Sequence, residues 1–224
     1  MILKKTGLTF IFLITILVSF SQTKSEWSVE ANLGFPINLI HPITIKQQGH
    51  PDLNFKAKYY SEPFKQPFFY VYRFSKWKND KGWQLEMMHQ KLYLENPPKE
   101  VQYFSITHGY NLIMLSRAFK VSILKEKDFI FSVGSGIILA HAENMVRGKE
   151  FDQEQSFNNM GYYLTGPVLN LALAKRFNIS KRFYFNVETK FNTSHANVPI
   201  VDGEASLWHS SFSLIGGIGY NFIK

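Results

Sequence analysis

The 224-residue chain carries 25 Lys and Arg against 17 Asp and Glu, a formal charge of +8, and no cysteine. The missing cysteine excludes a disulfide frame, an acylated-cysteine anchor and any thiolate nucleophile or thiolate metal site. No basic helix or aromatic-basic platform is visible, so no nucleic-acid partner is expected.

The N-terminus reads as an address. Lys4 and Lys5 form a positive region, residues 8–20 are almost unbroken apolar sequence, and Ser19-Phe20-Ser21 is a small-x-small cleavage pattern. A dozen apolar residues fall short of the ~20 a helix needs to cross a bilayer, so residues 1–21 are expected to be a signal peptide and Gln22 the first mature residue. Removing those 21 residues leaves 203 for a single domain over 22–224, and without the two leader lysines the charge falls from +8 to +6.

Polar breaks then divide the chain. Short ones fall at residues 79–82, 125–128 and 178–181, and longer ones at 36–66, 95–100, 142–160 and 196–204. Between them lie eight strand candidates, at roughly 26–35, 67–77, 83–94, 101–115 (or on to 123), 129–141, 161–176, 182–195 and 205–222. Lys76, Lys78, Lys81, Lys125, Lys127, Lys175, Arg176, Lys181 and Arg182 sit at or beside the short breaks and read as solvated turn charge.

Period-two alternation is clearest late in the chain. Phe183, Phe185, Val187 and Phe191 oppose Tyr184, Asn186, Glu188, Lys190 and Asn192. Phe129, Phe131, Val133, Ile137 and Leu139 oppose Ser132, Gly134, Gly136 and Ala140. From Trp208 to Phe222 the even positions are greasy and aromatic, whereas the odd ones are mostly small and uncharged. Small uncharged residues suit a crowded lumen better than a solvated exterior. Tyr70, Trp77, Trp83, Tyr162, Trp208 and Tyr220 lie near strand ends, where interfacial girdles belong.

The last strand, ending in Tyr220-x-Phe222, resembles the closing strand of bacterial outer-membrane β-barrels, and the layout is similar to the small OmpA/OmpX class. That resemblance implies an all-β, eight-stranded, antiparallel up-and-down transmembrane barrel in the outer membrane, with short turns and both ends on the periplasmic side. Contact with membrane lipids is expected of such a barrel, as a monomer; the basic balance could favour lipopolysaccharide phosphates or be ordinary solubility charge. A soluble lipocalin-like barrel, apolar inside, is the structural alternative. Eight strands enclose a space that side chains fill, which argues against a general porin.

Three groups of residues could carry chemistry. Around Ser194 and His195 the sequence runs Asn192-Thr193-Ser194-His195-Ala196-Asn197, then Pro199 and Asp202-Gly203-Glu204. Over about thirty C-terminal residues it resembles the lipid A 3-O-deacylase family, whose His-x-Ser-Asn motif and later acidic or amide residue form a Ser-His-Glu type site. Asn197, Pro199, Gly203 and Glu204 align; Ala196 then occupies the nucleophile position and Ser194 the His position. The second group is His209 and Ser211, which share a face at i, i+2, with Glu204 or Glu188 to orient the imidazole. The third is the hairpin 83–115, where His89 and His108 reach similar height. They could form a base pair or a zinc site, or join Glu86, Asn186, Glu188 and Lys190 in a polar network bracing the lumen. The polar network is the expectation, with no cofactor and no metal. The residues thus predict an integral, non-catalytic envelope protein. The alternative is a lipid A acyl-ester hydrolase built on His195 or His209, Ser194 or Ser211, and Glu204.

Overall fold

A strand with one greasy face, set in hydrocarbon, must pair both its edges, because no water is there to satisfy free N–H and C=O groups. The chain meets this demand by closing a ring. The computed structural model describes residues 25–123, 126–152 and 160–222; the expected leader, 1–21, lies outside them. The strands are β1 (Ser25–Asn38), β2 (His41–Gln47), β3 (Leu53–Ala57), β4 (Tyr59–Tyr60), β5 (Tyr70–Lys78), β6 (Lys81–Leu94), β7 (Val101–Ile123), β8 (Glu126–Val146), β9 (Lys149–Glu150), β10 (Tyr162–Asn178), β11 (Phe183–Ile200) and β12 (Gly203–Phe222). Antiparallel pairing runs β1-β5-β6-β7-β8-β10-β11-β12 and returns to β1 through a ladder from Trp27↔Phe222 to Asn38↔Ser211. This is the eight-stranded up-and-down barrel that the alternation predicts.

Its lower part is built for lipid. Leu33, Phe74, Leu85, Leu115, Val133, Leu171, Phe185 and Leu214 all point outward and are exposed. From Trp208 to Phe222, at about 3.4 Å per residue and a tilt near 40°, β12 climbs roughly 35 Å, enough for a hydrocarbon band of about 25 Å and both girdles. Trp77 departs from the expected girdle. It shares the inward phase of Arg73 and Ser75, is only 2 % exposed, and closes the lower lumen against Ala118, Ile130 and Ala174. Gly82 makes room for it, since a Cβ there would lie 2.7 Å from the indole.

Higher up, the pleat keeps its phase while the chemistry of its faces exchanges. On β11 the outward series runs from Phe183, Phe185 and Val187 to Thr193, His195 and Asn197. The inward series runs from Asn186, Glu188 and Lys190 to Ala196, Val198 and Ile200, all buried. On β12 the inward Ala205 and Leu207 are buried apolar residues, and the outward Glu204 and Ser206 are polar. The barrel therefore continues above the membrane as a water-soluble barrel with its own apolar core, which includes Ile43, Ile45, Leu92, Phe104 and Ile106.

That extension corrects the expected loops. Residues 196–204 are not a loop: β11 and β12 stay paired to Ile200↔Gly203, and only Val201 and Asp202 turn, Asp202 at φ 55°. β8 likewise runs to Val146. Within 36–66, β2 continues the line of β1 along β12, from Leu207↔Ile43 to Gly203↔Gln47. β3 folds back on β2, and β4 joins β6 at Tyr59↔Leu94. Above Tyr70, where β5 stops, these short strands complete the wall.

Candidate functional site

The chemistry of the barrel is concentrated at two levels, a charged layer in the spanning lumen and a histidine cluster on the outer wall just above the lipid band. In the lumen, Arg73 of β5 meets three carboxylates. Its Nη1 lies 2.7 Å from Glu30 Oε2, and its Nη2 lies 2.6 Å from Glu86 and 2.7 Å from Glu188. Arg176 reaches the other oxygen of Glu30 at 2.7 Å, joined by the Tyr184 hydroxyl at 2.7 Å and, on Oε2, by Asn186 Nδ2 at 3.0 Å. Lys190 is bonded to Glu86 and lies 3.3 Å from Glu188. Three acids face three bases, so the layer is neutral. Desolvated charges are tolerated inside a protein only when paired and hydrogen-bonded in this way.

The sequence reading named Glu86, Asn186, Glu188 and Lys190, and the structure brings these four together. It missed Glu30, Arg73, Arg176 and Tyr184. A charge between aromatic neighbours on a strand, as in Tyr72-Arg73-Phe74, was the available signal, since such a charge must face inward. Arg176, read as solvated turn charge, instead binds Glu30.

The upper lumen is closed as well. Tyr110 OH bonds Ser194 Oγ at 2.8 Å, and Asn38 Oδ1 lies 3.0 Å from His209 Nε2. Over the top, Arg147 of the β8 tip donates to Gln47 Oε1 at 3.0 Å and to the Pro51 carbonyl at 2.8 Å. Gln47 in turn donates to the Val201 carbonyl at 3.1 Å. This tie runs across the outer mouth from β8 through the β2–β3 hairpin to the β11–β12 turn.

The four candidate catalytic residues are not brought together. His209 and Ser211 are buried in the lumen, where His209 Nδ1 and Ser211 Oγ find no hydrogen-bond partner among the described residues. Glu204 points outward on the same strand, so it cannot orient His209. His195 also points outward, beside Trp208 at a ring separation of 4.9 Å, with Nε2 3.0 Å from Ser206 Oγ. Ser206 was not singled out by sequence. Among the described residues no carboxylate pairs with His195.

His89 and His108 are corrected from lumen to outer wall. His89 has the outward phase of Leu85 and Met87. It is buried there by the stacked ring of Tyr70, 4.9 Å away, and its Nδ1 lies 2.9 Å from Asn111 Oδ1. His108 sits in a bulge: Ile106 pairs with Ala142 and Tyr110 with Ala140, so three β7 residues oppose the single His141 of β8. Gly109, at φ 139°, gives the bulge its backbone. His108 is thereby turned onto Glu143, Nδ1 to Oε1 2.9 Å, while His141 Nδ1 stands 3.7 Å from the same oxygen. Burial, and then the neighbouring His108, hold the pKa of His141 below its ordinary value. His141 and Glu143 were legible as a same-face pair at i, i+2.

No family model and no curated protein matches the sequence. Solved structures do match in shape. The outer membrane protein AlkL, determined by solid-state NMR in DMPC bilayers, aligns at TM-score 0.54 and 10 % identity, over 90 % of this chain and 92 % of that one. OprG from Pseudomonas aeruginosa aligns at TM-score 0.44 and 10 % identity, over 90 % and 98 %. The likeness to AlkL shows the fold: a small barrel of outer-membrane type. With its apolar exterior, such a ring belongs in an outer membrane.

Proposed function

We propose that this integral outer-membrane protein is a closed, non-catalytic envelope barrel, whose rigid extension above the lipid is its contact surface for lipopolysaccharide and outer partners. The observation that carries this reading is the neutral Glu30, Arg73, Glu86, Arg176, Glu188, Lys190 layer across the lumen, backed by an apolar core and the Arg147–Gln47 tie above it. Among the described residues the lumen is occupied by these paired side chains, which argues against a pore. Exposed Lys46, Lys56 and Lys99 form no ion pair among the described residues and suit anionic sugar phosphates. The expected signal peptide at 1–21 is part of this proposal, as the means of export.

The His195–Ser206 contact favours a second reading, acyl-ester hydrolysis at the lipid surface, because an imidazole on a serine hydroxyl is the start of a nucleophile-base pair. One set of assays separates the two. In planar bilayers the folded protein is expected to give no unit conductance, and on lipopolysaccharide no fatty-acid release. Discrete conductance steps would replace the closed barrel with a channel. Fatty-acid release that disappears in Ser206→Ala would replace it with the hydrolase.

A further inference from the structure

We propose that His108, His141 and Glu143 form a binding site for a first-row divalent cation, zinc by the chemistry of its donors, on the outer wall just above the hydrocarbon. The donor atoms of the three residues lie within 4.8 Å of one another. Four-coordinate zinc, with bonds of about 2.0–2.1 Å to histidine nitrogen and 2.0–2.2 Å to carboxylate oxygen, sets its ligand atoms about 3.3 Å apart. The observed separations from Glu143 Oε1, 2.9 Å to His108 Nδ1 and 3.7 Å to His141 Nδ1, bracket that value.

A second observation points to a ligand independently of this spacing. His141 is 9 % exposed, and its buried Nδ1 has no hydrogen-bond partner among the described residues while it faces the Glu143 carboxylate. A buried polar atom without a partner is costly, and a coordinated cation would satisfy it. The carboxylate, for its part, pairs with no lysine or arginine among the described residues. The surroundings of the two rings are already held: Tyr162 packs edge-on to His141 at 5.2 Å, and its hydroxyl donates to the His108 carbonyl at 2.8 Å. Without metal, His108 Nδ1 and the Glu143 carboxylate are in direct contact. A cation would replace that contact, leaving a fourth position open on the exposed His108 side.

The test uses the full mature chain, without an affinity tag, folded in detergent, stripped with chelator and titrated with Zn2+ by calorimetry and with Co2+ by visible absorption. One equivalent of Zn2+ is expected, together with the intense d–d bands of four-coordinate Co2+. His108→Ala and Glu143→Gln should each weaken binding at least about tenfold, with the folded gel mobility retained, and His195→Ala should bind as the parent does. Glu143→Gln keeps the size of the side chain, and His108 is exposed, so loss of fold would not account for the loss of metal. Failure of the parent protein to bind Zn2+ overturns the proposal, as does binding left unchanged in both variants.

Discussion

Replacing Arg73 by methionine is expected to destabilise the folded barrel by at least about 3–5 kcal/mol, the cost of removing one partner from a buried ion pair. The effect falls at the upper end of that range or beyond, because one guanidinium serves three carboxylates here, at 2.7, 2.6 and 2.7 Å, with side chains 1–3 % exposed. Arg176 remains for Glu30 and Lys190 for Glu86 and Glu188, so the barrel loses the hub and keeps the rim. Methionine fills much of the same volume, which separates the charge from the packing. Urea titration in lipid vesicles, read by tryptophan fluorescence and by gel mobility without boiling, gives the free energy directly. Glu86→Gln with Lys190→Met, made together, should cost less than the two single changes added, since each alone leaves the other charge buried and unmatched. Arg73→Met at parental stability would mean that water reaches the layer and solvates the acids, and the closed lumen would fall with it.

The alternation that identifies the barrel was legible where the two faces differ most and where one solvent applies throughout. Phe183 to Phe191 reads unambiguously because hydrocarbon lies outside and a crowded polar lumen inside. The same strand became illegible at His195. There the outward residues turn polar, the inward ones turn apolar, and Asn197, Pro199 and Asp202-Gly203 look like loop chemistry. Pro199 is tolerated in a paired strand because β10 leaves β11 at Val168↔Ser194. Above that point one edge of β11 is free of a ladder, and the Pro199 carbonyl on that edge accepts instead from Asn144 Nδ2 at 3.0 Å. The histidines failed for a different reason. Register shifts on both sides of β7, between Gln90 and Leu92 and between Ile106 and Tyr110, decide where His108 points, and no periodicity in the letters sets the size of a bulge. The lumen charges were half legible: Glu188 and Lys190 stand on the most regular strand, whereas Arg73 is marked only by its neighbours Tyr72 and Phe74, and Glu30 stands on a strand whose partners had to be known first.

An arginine scan along β12 should trace this exchange of solvents residue by residue. On the outward series, Leu214→Arg puts a charge in the hydrocarbon band and is expected to cost about 2–4 kcal/mol, while Ser206→Arg, above the lipid, should cost about 0–1 kcal/mol. On the inward series, Ala205→Arg should be the most damaging of the three, because Ala205 is 0 % exposed and packed in the apolar upper core. Depth alone predicts no difference between the neighbours Ala205 and Ser206, with small costs for both. A wholly soluble barrel predicts a third pattern, in which Leu214→Arg is harmless. Refolding yield into vesicles, followed by urea titration of the variants that fold, distinguishes these outcomes. The membrane boundary lies between Ser206 and Phe212, where the ring of Trp208 lies tilted against His195, if and only if the outward cost rises across those residues while the inward cost does not fall to zero below them.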